Sequence, residues 1–185
     1  EGDLYVVDVS DKTNPQNLGN VTTPSAFTHN AWVSDNGDFV FTTDEQSDAY
    51  IGSYDISDLN NIQEVDRIQS NPGSNSIPHN THVDGNFIIT SYYRDGTVVH
   101  DITNPNNLIE VAHYDSSPLS GDGFQGCWGT YPFLPSGNII SSDIESDLQN
   151  ITHLNTNWRS GEKIISFNNM IFSSLYNQLN QEERN

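Results

Sequence analysis

The chain has 185 residues, with 25 Asp and Glu against 6 Lys and Arg, for a formal net charge of −19. Such an excess of acid repels a phosphate backbone and an anionic lipid surface, which excludes nucleic acid and acidic membrane as partners. Apolar residues make up only 34 %, yet Trp 3, Tyr 8 and Phe 8 separate the chain from disordered acidic sequences, which are poor in aromatics.

No stretch approaches the ~18 apolar residues of a membrane helix. The single Cys127 excludes an intrachain disulfide. The chain enters a strand-like run almost at once, a start expected of a trimmed chain or a fragment.

That first run, Leu4-Tyr-Val-Val-Asp8-Val-Ser-Asp, is followed by an Asn-rich turn and a second apolar run, Gln16 to Val21. His29-Asn30-Ala-Trp32 then opens a strand. The turn Asp35-Asn-Gly-Asp38 has hairpin chemistry, because Gly and Asn accept positive φ. An alternating strand, Asp38 to Glu45, returns.

The pattern then repeats. Ile51-Gly-Ser-Tyr-Asp55-Ile-Ser-Asp and Thr97-Val-Val-His-Asp101-Ile-Thr-Asn restate the first run, with their Asp residues 47 and then 46 positions apart. Asn61 to Ile68 and Asn107 to Tyr114 restate the second run. His79-Asn80-Thr-His82 restates His29-Asn30-Ala-Trp32 after 50 residues. It leads through Asp84-Gly-Asn86 to the strand ending Tyr92-Tyr93-Arg94. Gln125-Gly-Cys127-Trp128 is the degenerate third copy, followed by Pro135-Ser-Gly-Asn138 and the strand Asn138 to Asp143. In this alignment Trp32 and Trp128 share a position and are expected to pack between repeats.

One unit therefore contains four short strands in about 47 residues, the signature of a β-propeller blade. The expected fold is all-β, a propeller fragment of about three four-stranded blades. Propellers close with four or more blades, so the remaining blades are expected from a longer chain or from association.

The motifs Leu4-Tyr-Val-Val-Asp8-Val-Ser and Asn14-Pro15 resemble the LVIVD-repeat β-propeller family. His29-Asn30, Asp44-Glu45, His79-Asn80-Thr-His82, Tyr92-Tyr93, Gly126-Cys-Trp-Gly129 and Ser142-Asp-Ile-Glu145 resemble the last blades of its bacterial "choice-of-anchor B" group. The resemblance covers about residues 1–147. It implies an exported protein tethered at, or released from, the bacterial surface, and no settled activity.

Residues 158–185 differ. They hold three acids and three bases, so the whole net charge belongs to residues 1–157. Phe167, Ile171, Leu175 and Leu179, spaced by four, predict an amphipathic C-terminal helix. The alternative is a tail unrelated to the blades.

In the blade geometry, the start of strand one and the end of strand two meet at one mouth of the channel. His29, His79 and His82 with Asp44, Glu45, Asp143 and Glu145 are the candidate metal ligands, since imidazole and carboxylate suit divalent Zn, Mn, Fe or Ni. Asn30, Asn80, Tyr92, Tyr93 and Arg94 are the candidate ligand-binding residues. Residues i and i+3 of a strand face opposite ways, so His79 and His82 share an ion only across a turn or bulge.

The same His-Asn pairs also suit capping of backbone groups between blades. Asp8, Asp55 and Asp101 are expected to bond the turns that follow them. Cys127 is expected to be a buried small residue.

The reading is a binding or scaffold module at the cell surface, with a protein, glycan or small ligand as partner. The alternatives are a metal-dependent hydrolase or oxidoreductase using the same cluster, and a structural or adhesion protein without a ligand site.

Overall fold

A computed structural model describes residues 2–115 and 119–144. Twelve strands appear among them: β1 (Asp3–Asp8), β2 (Gln16–Thr22), β3 (Thr28–Val33), β4 (Phe39–Asp44), β5 (Ile51–Asp55), β6 (Gln63–Ile68), β7 (Asn80–Asp84), β8 (Phe87–Tyr92), β9 (Gly96–Asp101), β10 (Ile109–Tyr114), β11 (Cys127–Tyr131) and β12 (Ile140–Asp143). One 3-10 turn, Tyr93–Asp95, joins β8 to β9. The expected C-terminal helix and the boundary at 157/158 lie outside the described residues.

The strands form two whole antiparallel sheets, β3-β4-β5-β6 and β7-β8-β9-β10, flanked by the two-stranded sheets β1-β2 and β11-β12. Each whole sheet is a meander in sequence order, as in a propeller blade. By repeat position, β1 and β2 are third and fourth strands, whereas β11 and β12 are first and second strands. The described chain is a propeller segment of two whole blades and two half-blades.

Local chemistry closes each meander. Asp8, Asp55 and Asp101 accept from the backbone N–H two residues on, of Ser10 (2.8 Å), Ser57 (2.9 Å) and Thr103 (2.7 Å). A second set follows at Asp11, Asp58 and Asn104, which bond Thr13, Asn60 and Asn106 in the same way. These bonds satisfy turn donors that no ladder reaches. Gly37 (φ 80°) and Gly85 (φ 58°) supply left-handed backbone in the first-to-second hairpins.

Alternation sorts the core. Val40 faces back, packing with Leu4, Tyr54 and Ile62 between the β1-β2 sheet and the first whole blade. Phe41 faces forward, packing with Ile51, Val83, Ile88, Tyr92 and Val98 between the two whole blades. Adjacent positions on one strand thus serve two interfaces, which is why the central strands are apolar on both faces. Trp32 packs against the forward cluster, as expected of it.

A hydrogen bond repeats at each blade junction. The Thr43 hydroxyl donates to the His79 carbonyl at 2.5 Å, and the Ser91 hydroxyl donates to the Trp128 carbonyl at 3.3 Å. Thr43 and Ser91 occupy the same blade position, so His79 and Trp128 do as well.

His100 lies in β9 with no exposed surface, and among the described residues neither ring nitrogen has a hydrogen-bond partner. Burial is the main cause that pushes its pKa down, to about 4 from 6.5. The unfolded chain therefore takes up a proton near pH 6.5 that the folded ring refuses until about pH 4. Its contribution to stability is complete above that range and falls as the pH drops through it. Chemical denaturation of the wild type and of His100→Leu between pH 7.5 and 4 should show the wild type losing roughly 3 kcal/mol more over this window.

Candidate metal centre

Three of the expected ligands meet. His29 Nδ1 lies 3.1 Å from Glu45 Oε2, and His79 Nε2 lies 3.5 Å from Glu45 Oε1. The three candidate ligand atoms all fall within 4.8 Å of one another. The two imidazoles stack with centroids 4.6 Å apart.

Sequence spacing alone does not place His29 there. Thr28 pairs with Asp44 and Asn30 pairs with Thr43, so His29 is the extra residue of a β-bulge. A bulge re-aims a side chain out of the pleat's alternation. His79 precedes β7, and its backbone N–H donates to the Ser91 carbonyl at 2.9 Å. Glu45 follows the last residue of β4, and its N–H donates to the Phe27 carbonyl at 3.3 Å.

The surroundings orient these groups. His79 Nδ1–H donates to the Trp128 carbonyl, which leaves Nε2 as the lone-pair nitrogen facing Glu45. The Asn80 amide lies 3.0 Å from the same Nδ1. The Tyr93 hydroxyl donates to Glu45 Oε1 at 2.6 Å. An imidazole fixed by a carbonyl and a carboxylate fixed by a phenol are the outer contacts that metal ligands ordinarily have.

The electrostatics agree with a neutral ring. The His79 side chain is only 5 % exposed, against 32 % for His29 and 17 % for Glu45. Burial, first, and the nearby His29, second, depress the His79 pKa, while the Trp128 carbonyl and Glu45 oppose the shift. Burial also raises the Tyr93 phenol, helped by its bond to Glu45, so Tyr93 remains a donor. His79 Nε2 and Glu45 Oε1 thus face one another at 3.5 Å, an arrangement that a cation would relieve.

The other expected residues are elsewhere. Asp44 turns away from the mouth and accepts from the Thr23 hydroxyl (2.6 Å) and the Ser25 N–H (2.6 Å). Being a β4 residue, it faces opposite to Glu45. His82 packs its ring on Trp32 (4.8 Å) and Phe133 (5.8 Å), three positions beyond His79 with no bulge between them. Asp143 pairs with Cys127 in the ladder and is outside the three-residue cluster. Glu145 lies outside the described residues.

Of the expected binding residues, Tyr93 alone touches the carboxylate. Asn80 stands beside His79, and Asn30 Oδ1 accepts from the Thr81 N–H at 3.0 Å, a link between blades. Tyr92 is a buried core residue whose oxygen accepts from the Ser70 N–H at 3.3 Å. Arg94 bonds the Ser120 carbonyl at 3.0 Å and the Gln125 side chain.

The expected pairing of Trp32 with Trp128 is also corrected. Trp128 is the bulge residue between the Cys127–Asp143 and Gly129–Ser142 pairs, as His29 is in its own sheet. It occupies the position of His29 and His79, stacks on His79 at 5.7 Å and is 53 % exposed. Tyr131, opposite Ile140, is the counterpart of Trp32. Bulges hide from pattern alignment because they shift the count by one residue. Cys127 is fully buried as expected, with its thiol pushed up to about 11, chiefly by burial.

His79 should titrate below pH 6.5 and remain the Nδ1–H tautomer, as read by long-range proton–nitrogen NMR. In Glu45→Gln the midpoint should fall further, because the carboxylate favours the imidazolium. A rise in that variant would contradict the assigned contact.

Residues 1–23 match the family model described as the LVIVD repeat. No curated protein matches the chain. The matched residues contain β1 and β2, whose Asp8 turn recurs at Asp55 and Asp101. The chain therefore carries an LVIVD repeat at residues 1–23, within an all-β segment of antiparallel blades.

Proposed function

We propose that this chain is an exported, surface-located binding module of the propeller type that holds a divalent transition-metal ion on His29, Glu45 and His79. The convergence of those three ligand atoms within 4.8 Å carries the reading. Two imidazoles and one carboxylate form a mixed N/O set suited to Zn, Fe, Mn or Ni, and unsuited to Ca or Mg, which prefer all-oxygen sites.

Around Zn, ligand atoms at ~2.0–2.1 Å stand about 3.3 Å apart, so the cluster contracts by small side-chain rotations on binding. His29, the most exposed of the three, has the room to make that adjustment. A negative chain concentrates cations at its mouth by long-range attraction. Three protein ligands leave a position on the ion for a water molecule or for a donor atom of a small ligand or glycan. The exposed Trp128 and Phe124 rings stand beside the cluster, through His79 and Tyr93 respectively, and offer apolar faces to such a ligand.

Isothermal titration of the metal-free protein with Zn²⁺ or Mn²⁺ at pH 7.5 should give one bound ion. His29→Ala, His79→Ala and Glu45→Gln should each weaken binding at least 10-fold. Affinity should fall as the pH drops below about 6.5, because protons compete for the imidazole lone pairs. Equal binding by the wild type and all three variants would refute the site.

A further inference from the structure

The loop between the two whole blades passes a buried carboxylate that the His29, Glu45 and His79 cluster does not use. Asp95 is the last residue of the 3-10 turn after β8 and is 7 % exposed. Ser70 and Ser76, at the two ends of the loop's bend, are 2 % and 4 % exposed. Among the described residues, Ser70 Oγ, Ser76 Oγ and Asp95 Oδ2 are all buried without a hydrogen-bond partner. Buried polar atoms are ordinarily paired, so three orphans at one place call for a shared partner.

Hydrogen bonds hold the three residues together. The Ser70 N–H donates to the Tyr92 hydroxyl at 3.3 Å, three residues before Asp95. The Asp48 N–H donates to the Ser76 carbonyl at 3.1 Å, and the Gly73 N–H donates to Asp48 Oδ1 at 2.8 Å. The Gln69 amide donates to the Asp48 carbonyl. The loop is thus pinned at both ends and in its middle. Burial raises the Asp95 pKa, while the Ser70 and Ser76 hydroxyls and the Asn71 side chain oppose that shift. The two hydroxyls therefore stand near the carboxyl, yet outside hydrogen-bond geometry. Oxygens that share one ion do the same: with metal–oxygen bonds of ~2.4 Å, octahedral neighbours stand about 3.4 Å apart.

The surrounding charges leave room for a cation. The His113 ring donates to the Asp95 carbonyl, not to its carboxyl, and its other nitrogen lies 3.6 Å from Glu110. Arg94, the adjacent base, bonds Ser120 and Gln125 instead. Tyr92 is kept a neutral phenol by burial, and Asp95, Glu110 and Asp48 reinforce that shift. The donor set is all oxygen: one carboxylate, two hydroxyls and the Asn71 amide. It suits a hard cation and does not suit the softer metals proposed for the imidazole cluster.

We propose that Asp95, Ser70 and Ser76, with Asn71 beside them, hold a Ca²⁺ ion that ties the inter-blade loop to the second whole blade. Backbone carbonyls and water complete its shell. A single carboxylate gives weak binding, in the range of about 10⁻⁴–10⁻³ M found in low-affinity Ca²⁺ modules. Mg²⁺ demands shorter bonds and sheds water reluctantly, so it fits less well. The site is independent of the imidazole cluster.

The test titrates the full chain with CaCl₂ or MgCl₂ at pH 7.5 and constant ionic strength. The constant ionic strength and the Mg²⁺ arm separate a site from screening of the −19 charge. Ca²⁺ should raise the thermal midpoint by a few degrees and saturate near a millimolar, with a much smaller gain from Mg²⁺. Backbone amide NMR signals of residues 70–76 and 93–96 should shift along the same curve. Asp95→Asn should abolish both responses, and Ser70→Ala and Ser76→Ala should each weaken Ca²⁺ binding at least about 3-fold. Glu45→Gln should leave the Ca²⁺ response unchanged. Equal gains from Ca²⁺ and Mg²⁺ would overturn the proposal, as would amide shifts confined to other residues. A wild-type Ca²⁺ response in Asp95→Asn would overturn it equally. Should that variant fail to fold, the wild-type amide shifts and the two serine variants decide the matter.

Discussion

The hydroxyl-to-carbonyl bond between neighbouring blades is the constraint from which the rest follows. Thr43 and Ser91, both buried, donate across the junction to the backbone at the start of the next inner strand. Each bond satisfies a buried hydroxyl and also sets the height of one blade against the next. Apolar packing alone is non-directional and would tolerate sliding. A hydrogen bond with one permitted geometry does not. Because its acceptors belong to His79 and Trp128, it fixes the positions where ring side chains enter the mouth.

The cluster of His29, Glu45 and His79 is a consequence of that fixed height. His79 is held at its backbone by Thr43 and at its ring by the Trp128 carbonyl, so contacts from the blades on either side converge on one residue. Glu45 reaches it from the end of the preceding second strand, and Tyr93 comes from the turn after the following one. The bulge at His29 supplies the last group. Each element contributes one side chain, and none forms a site alone. Burial depresses the pKa of the His79 ring, and the facing carboxylate of Glu45 opposes that shift.

The acids follow a different logic. The repeated Asp8, Asp55 and Asp101, with Asp11 and Asp58, bond turn backbone on the surface. The carboxyls of Asp8, Asp11, Asp55 and Asp101 are held below the usual range by Ser or Thr groups two residues on. These are local tasks within three residues of chain, which is why the motif could be read in the sequence. Asp44 and Glu45 show the limit of such reading. They are adjacent carboxylate residues, yet one caps a loop through Thr23 and Ser25 and the other faces two imidazoles. Strand alternation separates them, and knowing which faces the mouth requires the register of β4.

The sequence by itself determined the repeat, the four-stranded unit, the hairpin and Asx turns, and the candidates His29, His79 and Glu45. Those features rest on local chemistry and on a period that survives substitution. It also aligned Trp128 with Trp32, placed Asp44 and His82 at the mouth, and counted Tyr92 and Arg94 as binding residues. Only the tertiary structure decided these points. A bulge shifts a register by one residue without changing composition, and a side chain's partner depends on which strand stands opposite it. The ends of the stack were decided in the same way. Ile140 and Val33 resemble Phe41 and Val83 in sequence, and differ only because no neighbouring blade covers them among the described residues.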